Sequence, residues 1–173
     1  MRGSRLLIAC YTVELLALAI WVGGLIVIIA AVIPAVFNSL NMETGGRFLT
    51  RVFDGYNRLV MIAAIVLIAL GLAQWMLKQR PLGRVLDVSA SELIVLGAMV
   101  IVAALIVFVL EPASVSLQEQ AFAAKVEAER KAAYDAFFRS HAVVRALYVL
   151  NLGLGAAMIP LKVRRMLHAG GAV

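Results

Sequence analysis

The stretch Phe137–Pro160, FFRSHAVVRALYVLNLGLGAAMIP, decides how the rest of the chain is read. It is apolar enough to cross a bilayer, yet it carries His141, Arg145, Tyr148 and Asn151 at helical spacing. At about 100° per residue these four fall within an arc of about 120°. A charge inside a membrane is tolerated where it faces protein or water, so this helix is expected to turn that arc toward neighbouring helices. The other segments must supply what the arc meets.

The sequence is 64% hydrophobic and 15% charged, with a mean hydropathy of +0.98, more apolar residue than a water-soluble domain of 173 residues could enclose. The charged residues gather in short intervals between four long apolar runs, the pattern of an integral membrane protein. The net charge of +6 comes from basic residues at the ends of those runs. Anchoring and topology explain them there, without nucleic acid. One cysteine, Cys10, excludes an internal disulfide and a multi-cysteine metal site, and reads as a small apolar residue.

The fold class is all-α: an integral membrane four-helix bundle in one domain, with spans over roughly 6–37, 56–77, 93–110 and 141–160. The first run far exceeds the roughly 7–15 apolar residues of a cleavable signal, so it is read as retained. Glu14 shares a helical face with Cys10, Ala17, Trp21 and Gly24, and either an inward partner or headgroup water meets its charge. Gly23 and Gly24 would let another backbone come close. Thr44 is expected to cap a short interfacial helix that leads into the second span. That span ends at Gln74, Trp75, Lys78 and Arg80, with a turn at Pro81 and Gly83.

Ser89 and Glu92 have the S-x-x-E form of a capping box at the start of the third span. The span itself is nearly featureless, is expected to face lipid, and should stop at Glu111-Pro112, because proline disfavours helix in the residue before it. Roughly 114–137 predicts an amphipathic helix lying on the membrane surface in the loop between spans three and four. A partner-binding helix is the sharper alternative. Arg2, Arg5, Lys78, Arg80, Arg84, Lys162, Arg164 and Arg165 would share one side, which places both termini in the cytoplasm, in a bacterial inner (plasma) membrane.

Glu14, Glu111, Arg145, Tyr148 and Asn151 are read together as a structural polar seam that holds the helices in register. Arg145 could pair with Glu111, joined by Arg58, or snorkel to the headgroups. Glu14 and Asn151 are the expected mid-membrane contact. His141 is the weakest candidate, as a haem or copper ligand, since neutral imidazole binds both. His168, the only other histidine, lies in the tail on the other side, and no H-x-x-x-H, C-x-x-C or M-x-x-M spacing occurs. No cofactor and no metal are assigned. No nucleophile beside a base, carboxylate pair or glycine-rich phosphate loop stands out, so no enzyme activity is expected; Gly153 and Gly155 read as packing positions.

Trp21-Val22-Gly23-Gly24, Phe48 to Phe53 with Tyr56, Leu110-Glu111-Pro112, and Phe137-Phe138-Arg139-Ser140-His141 with Asn151-Leu152-Gly153 follow one another along almost the whole chain. In these motifs it resembles the transmembrane protein 205-like family, small four-span proteins grouped under a domain of unknown function (DUF4149). It departs from that pattern at Asp54, where the family usually has a proline. The resemblance implies a four-helix membrane bundle with a long loop between spans three and four, and no mechanism. Eukaryotic relatives are associated with drug resistance and vesicle traffic. A fainter likeness to four-helix copper and haem membrane proteins implies the ligand reading of His141. The expected role is a non-enzymatic accessory or assembly subunit, with the lipid bilayer and a larger membrane complex or a homo-oligomer as partners. Transport of a small solute or metal ion along the seam is the rival from another class.

Overall fold

The computed structural model describes residues 2–77 and 88–170. In chain order the helices are α1 (Arg2–Val27), α2 (Ile33–Ser39), α3 (Met42–Leu77), α4 (Ala90–Leu105), α5 (Glu111–Ala123) and α6 (Glu127–Gly170). A π-helical turn at Ile28–Val32 joins α1 to α2, and a second at Ile106–Leu110 joins α4 to α5. Among the described residues these make four continuous helical columns, each long and apolar enough to cross a membrane: Ile8–Ser39, Met42–Gln74, Ala90–Ala123 and Glu127–Leu167. Crossing takes about 20 residues, so every column extends beyond the hydrocarbon layer.

The buried positions explain why these columns associate. Along α6 they are Val144, Tyr148, Asn151, Gly155, Met158, Lys162 and Arg165; along α1 the main series is Tyr11, Glu14, Leu18, Trp21 and Leu25, carried on to Ile28 at the start of the π turn, with Ala17 and Val22 buried beside it. Both series alternate steps of three and four, a period of about 3.5 residues, which keeps one seam facing a partner in left-handed supercoiled packing. The π turns fall where the alternation slips. Beyond Ile28 the next residues turned to the core are Ile33 and Val36, and beyond Ile106 they are Leu110 and Ser114, so at both turns the three-four alternation is interrupted. A π turn takes up one extra residue, and so returns the following helix to the same seam.

These turns also correct the expected stop at Glu111-Pro112. The helix runs through it to Ala123. The Glu111 N–H reaches back to Ile106 O, and Pro112 falls in the first turn of α5, where a missing N–H costs little. Pro34 has the same place in α2 after the first π turn. The separate amphipathic helix expected over 114–137 is therefore not formed. Its first half continues the third column, a break at 124–126 reverses the chain, and its second half is already the fourth column. Likewise the interfacial helix expected before the second span is the first part of α3. Its cap is Asn41, whose Oδ1 accepts from the Thr44 N–H at 2.9 Å, after Leu40 turns extended.

The first column packs on the second and the fourth, and the third packs on the fourth; the second and third touch only slightly. The core is Leu18, Trp21, Leu25, Val60, Ala64 and Leu67 with Met99, Ala103, Ile106 and Met158. Small residues set the closest approaches. A Cβ on Gly155 would stand 2.5 Å from Val22 Cγ2, and one on Gly24 would stand 3.1 Å from the Tyr56 ring, whereas Gly23 and Gly153 have no such neighbour. The turn expected at Pro81 and Gly83, with Lys78, Arg80 and Arg84, lies outside the described residues.

Candidate functional site: two buried polar clusters

At the end of the bundle where α1 begins and α6 ends, each column contributes to one ionic cluster. Glu14 comes from α1, Gln74 from α3, Glu92 from α4, and Lys162 and Arg165 from α6. Lys162 Nζ lies 3.0 Å from Glu14 Oε2 and 3.3 Å from Glu92 Oε2. Arg165 Nη1 lies 3.1 Å from Glu92 Oε2 and donates to Gln74 Oε1 at 3.0 Å, while its Nη2 donates to Glu14. Gln74 Nε2 donates to the second oxygen of Glu14, Oε1, at 2.7 Å. The Tyr11 ring stacks 5.1 Å from the Arg165 guanidinium. Protein atoms alone cover these charges, leaving the ionic side chains 1–7% exposed.

The cluster holds two carboxylates and two cations, so it is formally neutral. Bringing any one of them out of water costs several kcal/mol, which only close opposite charge and hydrogen bonding offset. The Ser89 hydroxyl does cap the Glu92 N–H, at 3.2 Å, so the backbone part of the expected capping box is present. The Glu92 carboxylate turns instead to Lys162 and Arg165.

The opposite end, where the helices are joined at residues 40–41 and 124–126, has a second, smaller cluster. Tyr148 Oη donates to Asn57 Oδ1 at 3.0 Å, and Asn57 Nδ2 donates to Glu111. Tyr56 Oη donates to the Trp21 carbonyl at 2.8 Å, and Phe53 packs 5.2 Å from the Tyr148 ring. A Tyr56→Phe substitution leaves the ring in place and removes one buried hydrogen bond. It is expected to cost about 1 kcal/mol, read as a lowered thermal midpoint in detergent.

Gln74 and Arg165 lie about 26 Å along their helices from Asn57 and Tyr148, at about 1.5 Å of rise per residue. The hydrocarbon core of a bilayer is about 30 Å thick, so the two clusters stand near its two boundaries. On α6 only Asn151 interrupts the apolar seam between them, and its Nδ2 donates to the Met99 carbonyl at 3.3 Å.

The five seam residues are thus divided. Glu14 belongs to the ionic cluster, Tyr148 and Glu111 are linked through Asn57, and Asn151 bonds backbone between them. Arg145 is exposed and joins neither group. The expected pairs Arg145 with Glu111 and Glu14 with Asn151 are not formed: Glu111 is held by Asn57, and Glu14 by Gln74, Lys162 and Arg165. Sequence reading missed Asn57, Gln74, Lys162 and Arg165. The signal was the three-four spacing from Tyr148, which continues through Pro160 to Lys162 and Arg165. His141 is half-buried and stacks on Phe137, with ring centroids 5.3 Å apart. His168 lies about 40 Å further along the same helix. Among the described residues no three His, Cys, Asp or Glu side chains are placed to hold a metal ion.

A family model described as a domain of unknown function, DUF4149, matches residues 16–123, well over half of the chain. The chain belongs to the DUF4149 family. The matched DUF4149 segment includes Trp21 to Gly24, Phe48 to Tyr56 and Leu110 to Pro112, and closes at the last residue of α5. It holds Asn57, Gln74, Glu92 and Glu111, while Glu14 lies just before it and the cations that complete the ionic cluster come from α6, beyond it. No curated protein and no solved structure matches the chain.

Proposed function

We propose that this DUF4149 protein is a small accessory or assembly subunit, a rigid bundle that serves a larger membrane complex by presenting surface rather than by chemistry or permeation. The observation that carries this reading is the pairing of the buried charges with one another at one end, separated from the polar cluster at the other end by an apolar core of some 26 Å. A path for an ion or polar solute needs polar lining along its length. Here the middle is filled by Leu18, Trp21, Leu25, Val60, Leu67 and Met99.

The surface offered to a partner is the projecting α5–α6 hairpin. Ala123 lies about 18 Å beyond Glu111 along its helix. Arg47 braces the hairpin against the start of α3, 2.7 Å from Glu119 and 5.3 Å over the Phe122 ring. Val126 and Phe138 are exposed there, with Lys131 and Asp135 between them. Both termini would lie in the cytoplasm of a bacterium, with the hairpin on the far side of the inner membrane.

Photo-crosslinking in native membranes from Lys131 and Phe138 tests the reading. A defined adduct, either with another protein or with a second copy, and absent when the probe sits at lipid-facing Ile101, is the expected result. Purified protein that supports solute flux in liposomes, reduced by Glu14→Gln, would overturn it in favour of transport.

A further inference from the structure

The slight contact between the second and third columns leaves a cleft of about 540 Å³ near the hairpin end. This is within the size range of small-molecule sites. Its two halves differ in chemistry. Met61, Ile62, Val107 and Phe108 form an apolar wall, and Ile62 and Phe108 are 59% and 67% exposed on the side that meets lipid. Asp54, Arg58 and Glu111 form a charged rim about one to two helical turns further out. The rim stands at the level of the Asn57–Glu111–Tyr148 cluster, at the boundary of the hydrocarbon layer.

We infer that this cleft binds one phospholipid with a primary-amine headgroup, of the phosphatidylethanolamine class. The charges on the rim select it. Asn57 engages one oxygen of Glu111, and among the described residues the other accepts no hydrogen bond. A primary ammonium can donate to that oxygen and to Asp54. Arg58, 2.7 Å from Asp54 and 77% exposed, is free to swing its outer face onto the phosphate. A rim with one guanidinium and two carboxylates matches a zwitterion with one phosphate and one ammonium. An anionic glycerol headgroup meets two carboxylates, and a quaternary ammonium has no N–H to donate. The first carbons of an acyl chain then lie along Met61, Ile62, Val107 and Phe108.

Native mass spectrometry of the full chain in detergent, titrated in turn with phosphatidylethanolamine, phosphatidylcholine and phosphatidylglycerol of equal chain length, tests the site. One phosphatidylethanolamine is expected to bind about tenfold more tightly than either competitor, the scale of one charge-assisted hydrogen bond. Glu111→Gln should remove that preference. Because Glu111 also holds Asn57, the exposed Asp54→Asn and the cleft-filling Met61→Trp serve as second variants; the first should reduce the preference and the second should abolish binding. Equal binding of the three lipids, a preference for phosphatidylglycerol, or a preference that survives all three variants would overturn the assignment. So would full competition by glycerophosphoethanolamine, which has the headgroup and no chains.

Discussion

Arg165→Met is expected to destabilise the purified protein in detergent by about 3–5 kcal/mol, the scale for removing one partner of a buried ion pair. Arg165 makes more contacts in the ionic cluster than any other residue, touching Glu14, Gln74, Glu92 and the Tyr11 ring. Methionine fills much of its volume but leaves two carboxylates facing Lys162 alone. The uncompensated charge, not the lost volume, sets the size of the effect. Adding Glu92→Gln to Arg165→Met restores neutrality and should recover part of the loss. Arg145→Ala, on the exposed face of the same helix, should change stability by no more than about 0.5 kcal/mol. Thermal and denaturant unfolding of the four proteins in one detergent decides the matter. Equal losses for Arg165→Met and Arg145→Ala, or no rescue by Glu92→Gln, would contradict the view of the cluster as a neutral, mutually dependent unit.

The contrast between Arg145 and Arg165 shows what was legible in the sequence and what was not. Four apolar runs, their order and their membrane character follow from composition and run length alone, because a bilayer imposes both. The inward face of α6 was half legible: Tyr148 and Asn151 lie on it, and Arg145 sits one step to its side. A helix placed against three neighbours buries a narrow three-four stripe, and an arc of about 120° is wider than that stripe. Lys162 and Arg165 looked like boundary anchors because they follow a proline and end an apolar run. Pro160 is accommodated inside α6, so the stripe continues beyond it and carries both cations to Glu14 and Glu92. The extension of the third helix past Pro112 was hidden for a related reason. Local proline rules favour a stop there, whereas a π turn lets the column continue and keep its inward face.

Two glycines two residues apart, and so on nearly opposite faces of α6, should respond to alanine in different ways. At Gly153 no atom lies within 4 Å of an added Cβ, so Gly153→Ala gains helix propensity of up to about 1 kcal/mol and little else. At Gly155 the added Cβ stands 2.5 Å from Val22 Cγ2 and 3.4 Å from the Met99 methyl carbon. Something there must shift, and Val22 yields poorly, because a valine in a helix is held in one strongly preferred rotamer. The strain of overpacking, about 1–3 kcal/mol, then opposes the propensity gain. Gly153→Ala should therefore exceed Gly155→Ala in stability by about that amount. If the close approach of α1 and α6 causes the difference, trimming the opposing side chain must relieve it. The pair Gly155→Ala and Val22→Ala should show a favourable coupling of about 0.5–3 kcal/mol in a double-mutant cycle, whereas Gly153→Ala and Val22→Ala should be additive. Additivity at both positions would mean that the two helices stand further apart than the packing of Gly155 on Val22 requires.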